Sequence, residues 1–566
     1  MRPVGARARL HRLVPVGRDE IAAVSRRSQQ VLLLAGVTGV ATGLIVAGFE
    51  ELTHAVLETM RDLPLWAQAM APLLGLVIAA LSLRFLGNGT GTATSDDYIR
   101  VFHDRSARLD LRAVPARMLA SIATLGSGGP MGYEGPSIYA GAATGSLLQR
   151  RLSRWFSVED TKVLLVAGAA AGVAAIFKAP VTGIVFALEV PYQEDLARRM
   201  LLPAAISAAA SYVTFAAFIG TDPILPVAGQ PPFNLVDLGG AAAVGLVCGV
   251  LARVFVAIIR RSKQMAEQVS AWVRVSVAGA IVAGTVLAGR TLSDDALTLG
   301  PGYDALRWAI DSDRTIWAIV LLGTLRVLGT AAVVGGGGVG GLFIPLVIQG
   351  ALVGRAMGGI FDSANATLFP VVGMAAFLGA GYRVPLAAVV FVAEFTGRPG
   401  FVVPGLIAAV VAQLVMGKAS ISPHQVAGRV GHLEGRLRLP LAALVATDAR
   451  TVPPDATVEE MFWQHLIGTR QQAVPVVDGN TYLGLAGADE LGRLERAAWA
   501  DTTVADVMRT DVPIATPDWL LADAIRAMDD AGTDRLAVCA GDQFIGVITA
   551  ADLVQLDEIL DRTDTA

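Results

Sequence analysis

Cysteine is nearly absent from this chain of 566 residues, and the two present, Cys248 in an apolar run and Cys539 in the C-terminal tail, exclude a disulfide framework and offer no metal-ligand spacing. Histidine is equally thin: the six are scattered and no His-Glu-x-x-His occurs, which argues against a membrane-embedded metalloenzyme. Neither catalytic residues, nor metal ligands, nor an obligatory cofactor are expected. Charge is sparse at 17% of residues, against 54% hydrophobic residues and 61 glycines. That balance is far from an ordinary soluble domain. The formal net charge of −4 says little about partners, and nucleic acid is not expected among them.

What is present is long apolar sequence. Residues 1–30 hold Arg2, Arg7, Arg9, Arg12, Arg18, Arg26 and Arg27 without an apolar core or a small-residue cleavage site, so they do not read as a secretory signal. The positive-inside tendency keeps them cytoplasmic. Val31 to Phe49 carries no charge and is long enough to cross a bilayer, as is the run from Pro64 to Phe85. From Leu111 to Gly220 the apolar segments are shorter and broken by Gly and Pro, which membrane depth tolerates only inside protein or along a water-filled cavity. Long runs return near 234–258, 271–288 and 315–334, followed by a second glycine-rich, broken region.

The two halves repeat each other. Gly132-Tyr133-Glu134-Gly135-Pro136 is followed by Gly141 and Gly145, and Gly341-Leu342-Phe343-Ile344-Pro345 by Gly350 and Gly354 at the same offsets. Lys178-Ala179-Pro180 leads to Glu189, and Arg383-Val384-Pro385 leads to Glu394, again at equal spacing. Repeats of membrane size place a transport site where the broken helices of the two halves meet. A helix starting at mid-membrane presents free N–H groups and about half a positive charge, an anion site that needs no buried Lys or Arg.

Gly-Tyr-Glu-Gly-Pro at 132–136 and Gly-Leu-Phe-Ile-Pro at 341–345, supported by Phe-Lys-Ala-Pro at 177–180, resemble the CLC chloride channels and chloride/proton exchangers over residues 30–430. The resemblance implies an α-helical polytopic membrane domain of two inverted repeats (about 31–220 and 234–430), working as a homodimer with one pore per subunit. Its ligands would be chloride or another small anion, with protons as a second substrate in the exchangers. By the same resemblance Glu134 is the gating glutamate; an ionisable group in apolar membrane sequence is in any case a functional candidate. Gly132, Tyr133, Gly135, Leu342, Phe343 and Ile344 then supply backbone around the anion. Thr90 and Gly91, within Gly89-Thr90-Gly91-Thr92-Ala93, match the first anion loop, in which the family has Gly-Ser-Gly-Ile-Pro. Glu189 and Glu394, at the ends of apolar helical runs, read as capping or pairing residues.

Three departures bear on mechanism. Tyr133 stands where the family has Arg or Lys, and Ile421 where it has the tyrosine closing the intracellular side. Val190 replaces the second glutamate that the exchangers use as internal proton acceptor. Position 190 therefore favours a gated chloride channel over an antiporter with a non-standard proton route.

From Leu439 the sequence turns soluble and repeats once more. Ala473–Asp478 with Tyr482–Leu485 matches Leu536–Cys539 with Phe544–Thr549. The two units, 436–500 and 501–560, resemble a cytoplasmic α/β CBS-domain pair. In nucleotide-binding members, residues at the positions of Thr549 and Asp552 contact ribose and phosphate, so an adenine nucleotide is the one cofactor to consider. A divalent-cation transporter with CBS regulation is the rival reading, but it would need membrane carboxylates clustered at one depth. Gly336, Gly338 and Gly341 formally give Gly-x-Gly-x-x-Gly, without the βαβ setting that would make it a dinucleotide site.

Overall fold

The computed structural model describes residues 18–104, 107–152, 162–225, 227, 234–293, 296–310, 315–361, 367–428, 439–446, 449–467 and 472–552. Most of the arginine-rich N-terminal segment lies outside them, as do the side chains of 18–28. The chain divides into two compact units, 1–428 and 429–566.

The first unit is helical, with eight elements in each half. The first half holds α1 (Arg18–Arg61), α2 (Leu65–Leu81), α3 (Ser95–His103), α4 (Ala113–Gly126), α5 (Glu134–Arg151), α6 (Val163–Ile176), α7 (Pro180–Glu189) and α8 (Leu201–Ile219). The second holds α9 (Leu235–Glu267), α10 (Ala271–Gly289), α11 (Tyr303–Ile310), α12 (Ile316–Gly336), α13 (Phe343–Phe361), α14 (Leu368–Tyr382), α15 (Pro385–Thr396) and α16 (Val402–Met416). Among the described residues, eight helical runs are long and apolar enough to cross a membrane. The region expected to hold only short segments ends in one of them, Arg198–Ile219, of which α8 alone supplies 19 residues. α4, α6, α7, α14 and α15, at 10–17 residues, do not reach that length. The protein is a multi-pass membrane protein.

The pairing of the halves shows in contacts that mirror one another. Gly132 N–H donates to Gly341 O at 2.9 Å and Gly341 N–H to Gly132 O at 2.7 Å, a reciprocal antiparallel exchange that a local two-fold axis generates. The Glu189 carboxylate, ending α7, accepts from Leu386 and Ala387 N–H at 3.1 and 2.8 Å at the start of α15. Glu394, near the end of α15, accepts from Val181 and Thr182 N–H at 3.0 and 2.7 Å at the start of α7. Each carboxylate satisfies donors that a helix leaves unpaired in its first turn. Lys178 and Arg383, just before α7 and α15, both take the left-handed conformation, φ 52° and 58°. These are the two inverted repeats.

Close packing accompanies the inversion. α5 crosses α6 with Gly141 against Gly168 O, and α13 crosses α14 with Gly350 against Gly373 O, so a Cβ at either site would collide with backbone. The Gly-x-x-x-Gly pairs thus let the broken helices that carry the site approach backbone to backbone.

The second unit is a four-stranded sheet, β1 (Ala473–Asp478), β2 (Thr481–Gly487), β3 (Arg535–Ala540) and β4 (Gln543–Thr549), in the order β1-β2-β4-β3. Its two hairpins share even their irregularities, with register shifts at Val476/Val477 and at Val538/Cys539. The first repeat has the short helix Val458–Glu460 where the second has α17 (Leu521–Asp530).

Candidate anion pathway

Glu134 is the first residue of α5 and almost wholly buried. Its carboxylate reaches the opposite half, where Phe343 N–H, at the start of α13, donates to Oε1 at 2.6 Å. Gly132 and Gly341 make room: a Cβ on either would strike the Glu134 carboxylate. Among the described residues the buried Oε2 has no hydrogen-bond partner. The carboxylate thus occupies a place built from helix N-terminal amides, where a free anion would also bind, with one of its oxygens unsatisfied.

The ring and the backbone of Phe343 face different surroundings. Its ring is buried among Phe177 (centroids 4.6 Å apart), Phe391 (4.7 Å), Phe186 (5.5 Å) and Tyr382 (6.5 Å), which draws on four different segments. Only its N–H faces the site. Ile344 is fully buried behind it, Leu342 lines a cavity beside it, and Gly135 packs against Gly340 and Thr94. Tyr133 caps α5 with its ring edge-on to Phe49, centroids 6.1 Å apart.

The cavity has a volume of about 310 Å³ and reaches from Leu342 and Tyr382 to Lys263, Glu267 and Arg274. Gly91 lines it; Thr90 does not. The Thr90 hydroxyl instead donates to Gly87 O, and Thr92, Thr94, Ser95 and Asp96 border the cavity, two to six positions further on. The acidic start of α3, Ser95-Asp96-Asp97, is the signal that would have located this loop, since carboxylates favour the first turn of a helix. Asp96 pairs with Lys263 at 3.6 Å.

A second missed group fixes the loop. Arg117, on α4, donates Nε–H to Gly91 O at 3.0 Å and Nη1–H to Asp97 Oδ2 at 2.8 Å, with its guanidinium 4.6 Å from the centre of the Tyr139 ring. Both members of this ion pair are about nine-tenths buried. Its counterpart lies at the offset that separates Gly132 from Gly341: Arg326, on α12, donates to Gly300 O at 3.2 Å and to Pro301 O at 2.7 Å ahead of α11. Each half thus uses a buried arginine to hold the loop before its short helix.

Ile421 is buried at the cavity wall and donates its N–H to Gly381 O at 2.9 Å. Tyr382, the residue after that acceptor, brings a phenol to the same wall, facing the Ser95 side chain and the Leu342 backbone. Val190 is buried at the end of α7, where its carbonyl accepts from Gln425 Nε2–H at 2.8 Å. The carboxylates near it are otherwise engaged: Glu189 caps α15, and Glu194 lies 3.6 Å from Arg383.

In the second unit, Thr549 N–H and Oγ1–H both donate to Asp552 Oδ2 at 2.8 Å, and Asp552 N–H returns to Thr549 Oγ1 at 3.2 Å. This is a reciprocal cap on the helix opening at Ala550. Gly487 N–H donates to Glu490 Oε2 at 3.0 Å at the matching place in the first repeat.

Comparison with known proteins agrees with this geometry. The family model for the voltage gated chloride channel matches residues 92–417, and that for the CBS domain matches residues 504–558. A putative chloride channel protein, ClcB-like, of Ralstonia nicotianae is 27% identical over 73% of this chain and 100% of its own length. The H(+)/Cl(-) exchange transporter ClcA of Vibrio parahaemolyticus is 29% identical over 70% of this chain and 89% of its own. The crystal structure of a slow cyanobacterial Cl-/H+ antiporter superposes with a TM-score of 0.61 at 22% identity, covering 68% of this chain and 94% of the other.

Proposed function

The chain belongs to the voltage-gated chloride channel family, and on that premise we propose that it moves chloride across the membrane in exchange for protons, with Glu134 carrying the proton. The observation that carries the reading is the bond from Phe343 N–H to the Glu134 carboxylate, 2.6 Å long. A carboxylate seated on anion-binding amides must leave for chloride to take its place, and protonation removes the charge that holds it there. Each Glu134 proton is then traded against an anion.

Exchange is preferred to passive conduction because the Vibrio relative is named an exchange transporter and the cyanobacterial neighbour an antiporter. Val190 speaks for a channel, yet it removes one proton acceptor rather than every route. The cavity that reaches Leu342 carries Asp96 and Glu267 on its lining and measures about 310 Å³. At about 30 Å³ per water it has room for on the order of ten waters, which supports a proton route other than position 190 as far as Leu342. Tyr382 supplies on the cavity wall the hydroxyl that Ile421 lacks.

Glu134 and the amides around it come from one chain, so in the homodimer that the family resemblance implies each subunit would carry its own pathway. Arg253, Arg260, Arg261 and Lys263 cluster toward the end of α9, and by the positive-inside tendency that side, the N-terminus and the CBS pair are cytoplasmic. An adenine nucleotide at Thr549 and Asp552 is the regulatory ligand to test, and it would have to open the reciprocal cap; a melting shift of the full chain with ATP, absent in Thr549→Ala, supports it.

The deciding experiment uses purified protein in chloride-loaded liposomes under a weak external buffer. Chloride efflux should drive protons inward and raise external pH. Chloride efflux without proton movement would return the protein to the channel reading.

A further inference from the structure

Between α9, α10 and α12 runs a crevice of about 720 Å³ that adjoins the anion cavity at Arg274 and is otherwise separate from the residues described there. Its walls are apolar: Val254 from α9, Val277 and Ile281 from α10 and Leu328 from α12 line it, each 41–53% exposed although the helices are membrane spans. In a bilayer these side chains face acyl chains. One end is different, for Arg261 and Arg274 stand there.

The two arginines lack partners. Among the described residues neither makes an ion pair or a side-chain hydrogen bond, and Arg274 Nε is buried without an acceptor. Arg261 is exposed and Arg274 half-buried, so both guanidiniums are free to take an anion, which would also stand next to the unsatisfied Nε–H of Arg274. Arg274 also lines the anion cavity described above, so whatever binds it touches the wall of that cavity.

We propose that this crevice binds an anionic phospholipid, its phosphate on Arg261 and Arg274 and one acyl chain along Val254, Val277, Ile281 and Leu328. Basic pockets between membrane helices suit anionic headgroups, and the apolar length beyond them suits a chain rather than a free inorganic anion. A second copy of this protein fits less well. Sharing one membrane orientation, it would bring its own arginines to the same depth as these. The binding claim does not depend on the transport reading.

The test is native mass spectrometry of the full-length protein in detergent micelles, titrated with phosphatidylglycerol or with phosphatidylcholine of matched chains. Phosphatidylglycerol should be retained about thirtyfold better, the factor for two cations at about 1 kcal/mol each. Arg261→Gln with Arg274→Gln should abolish that preference, and Ile281→Trp, which fills the crevice, should lower retention of both lipids. Gel filtration and thermal melting in detergent confirm that the variants fold. Equal retention of the two lipids, or an unchanged preference in the double variant, overturns the proposal. So does a dimer that dissociates in Ile281→Trp with lipid retention unchanged, which would assign the crevice to a second copy.

Discussion

Glu134→Gln keeps the shape of the side chain and an oxygen for Phe343 N–H but cannot take up a proton. Chloride-driven proton movement should vanish in this variant while chloride flux continues, measured in the same liposomes; persistence of both would remove Glu134 from the proton path. Arg117→Met leaves Asp97 with Arg100, 2.6 Å away, as its cation, but removes the buried bond to Oδ2 and frees the Gly91 carbonyl. Losing a charged hydrogen bond costs about 1.5–3 kcal/mol, so the variant should melt below wild type by fluorescence-detected gel filtration. Residue by residue, the site was legible where motif and conformation coincide. Glu134, Leu342 and Phe343 lie at helix starts that their own glycines announce. Thr90 does not border the cavity whereas Thr92 does, because Gly89-Thr90-Gly91 and Gly91-Thr92-Ala93 offer similar loop chemistry and the start of α3 at Ser95 sets which of them reaches it. Arg117 and Tyr382 gave no local signal, since their partners Asp97, Gly91 and Leu342 are distant in sequence.

At the scale of elements, the reciprocal capping of α7 by Glu394 and of α15 by Glu189 makes a symmetric prediction. Glu189→Ala and Glu394→Ala should each destabilise the protein by about 1–2 kcal/mol, the range for losing a helix cap. A silent variant at one of the two would break the equivalence of the halves. The sequence carried the equal spacing of these glutamates and their capping role, but which helix each one caps depends on the inversion. The CBS unit offers a separate check through Asp534. Arg535 grips this carboxylate through Nε–H at 2.9 Å and Nη2–H at 3.0 Å and holds it below the usual carboxylate range. Its stabilisation is therefore present above the ordinary carboxylate pKa near 4 and is lost as pH falls through the lower folded value. Asp534→Asn should narrow the gap in melting temperature between pH 7 and pH 3.

For the whole molecule, two halves of eight helices meet at one carboxylate, an architecture that the resemblance of the glycine motifs to the CLC family already implies. Composition fixed membrane residence, because an apolar chain with so little charge has few other places to fold. The direction and coupling of transport are not written in any motif: Val190 argues for a channel, as does the name of the Ralstonia relative, while the proposal of exchange rests on the seat of Glu134 and the name of the Vibrio relative. The most direct test of exchange is the reversal potential of the reconstituted protein under a fixed chloride gradient, with a pH gradient then superimposed. Proton-coupled exchange predicts a potential displaced from the chloride equilibrium value that moves with the pH gradient. A potential that stays at the chloride value whatever the pH gradient would contradict it.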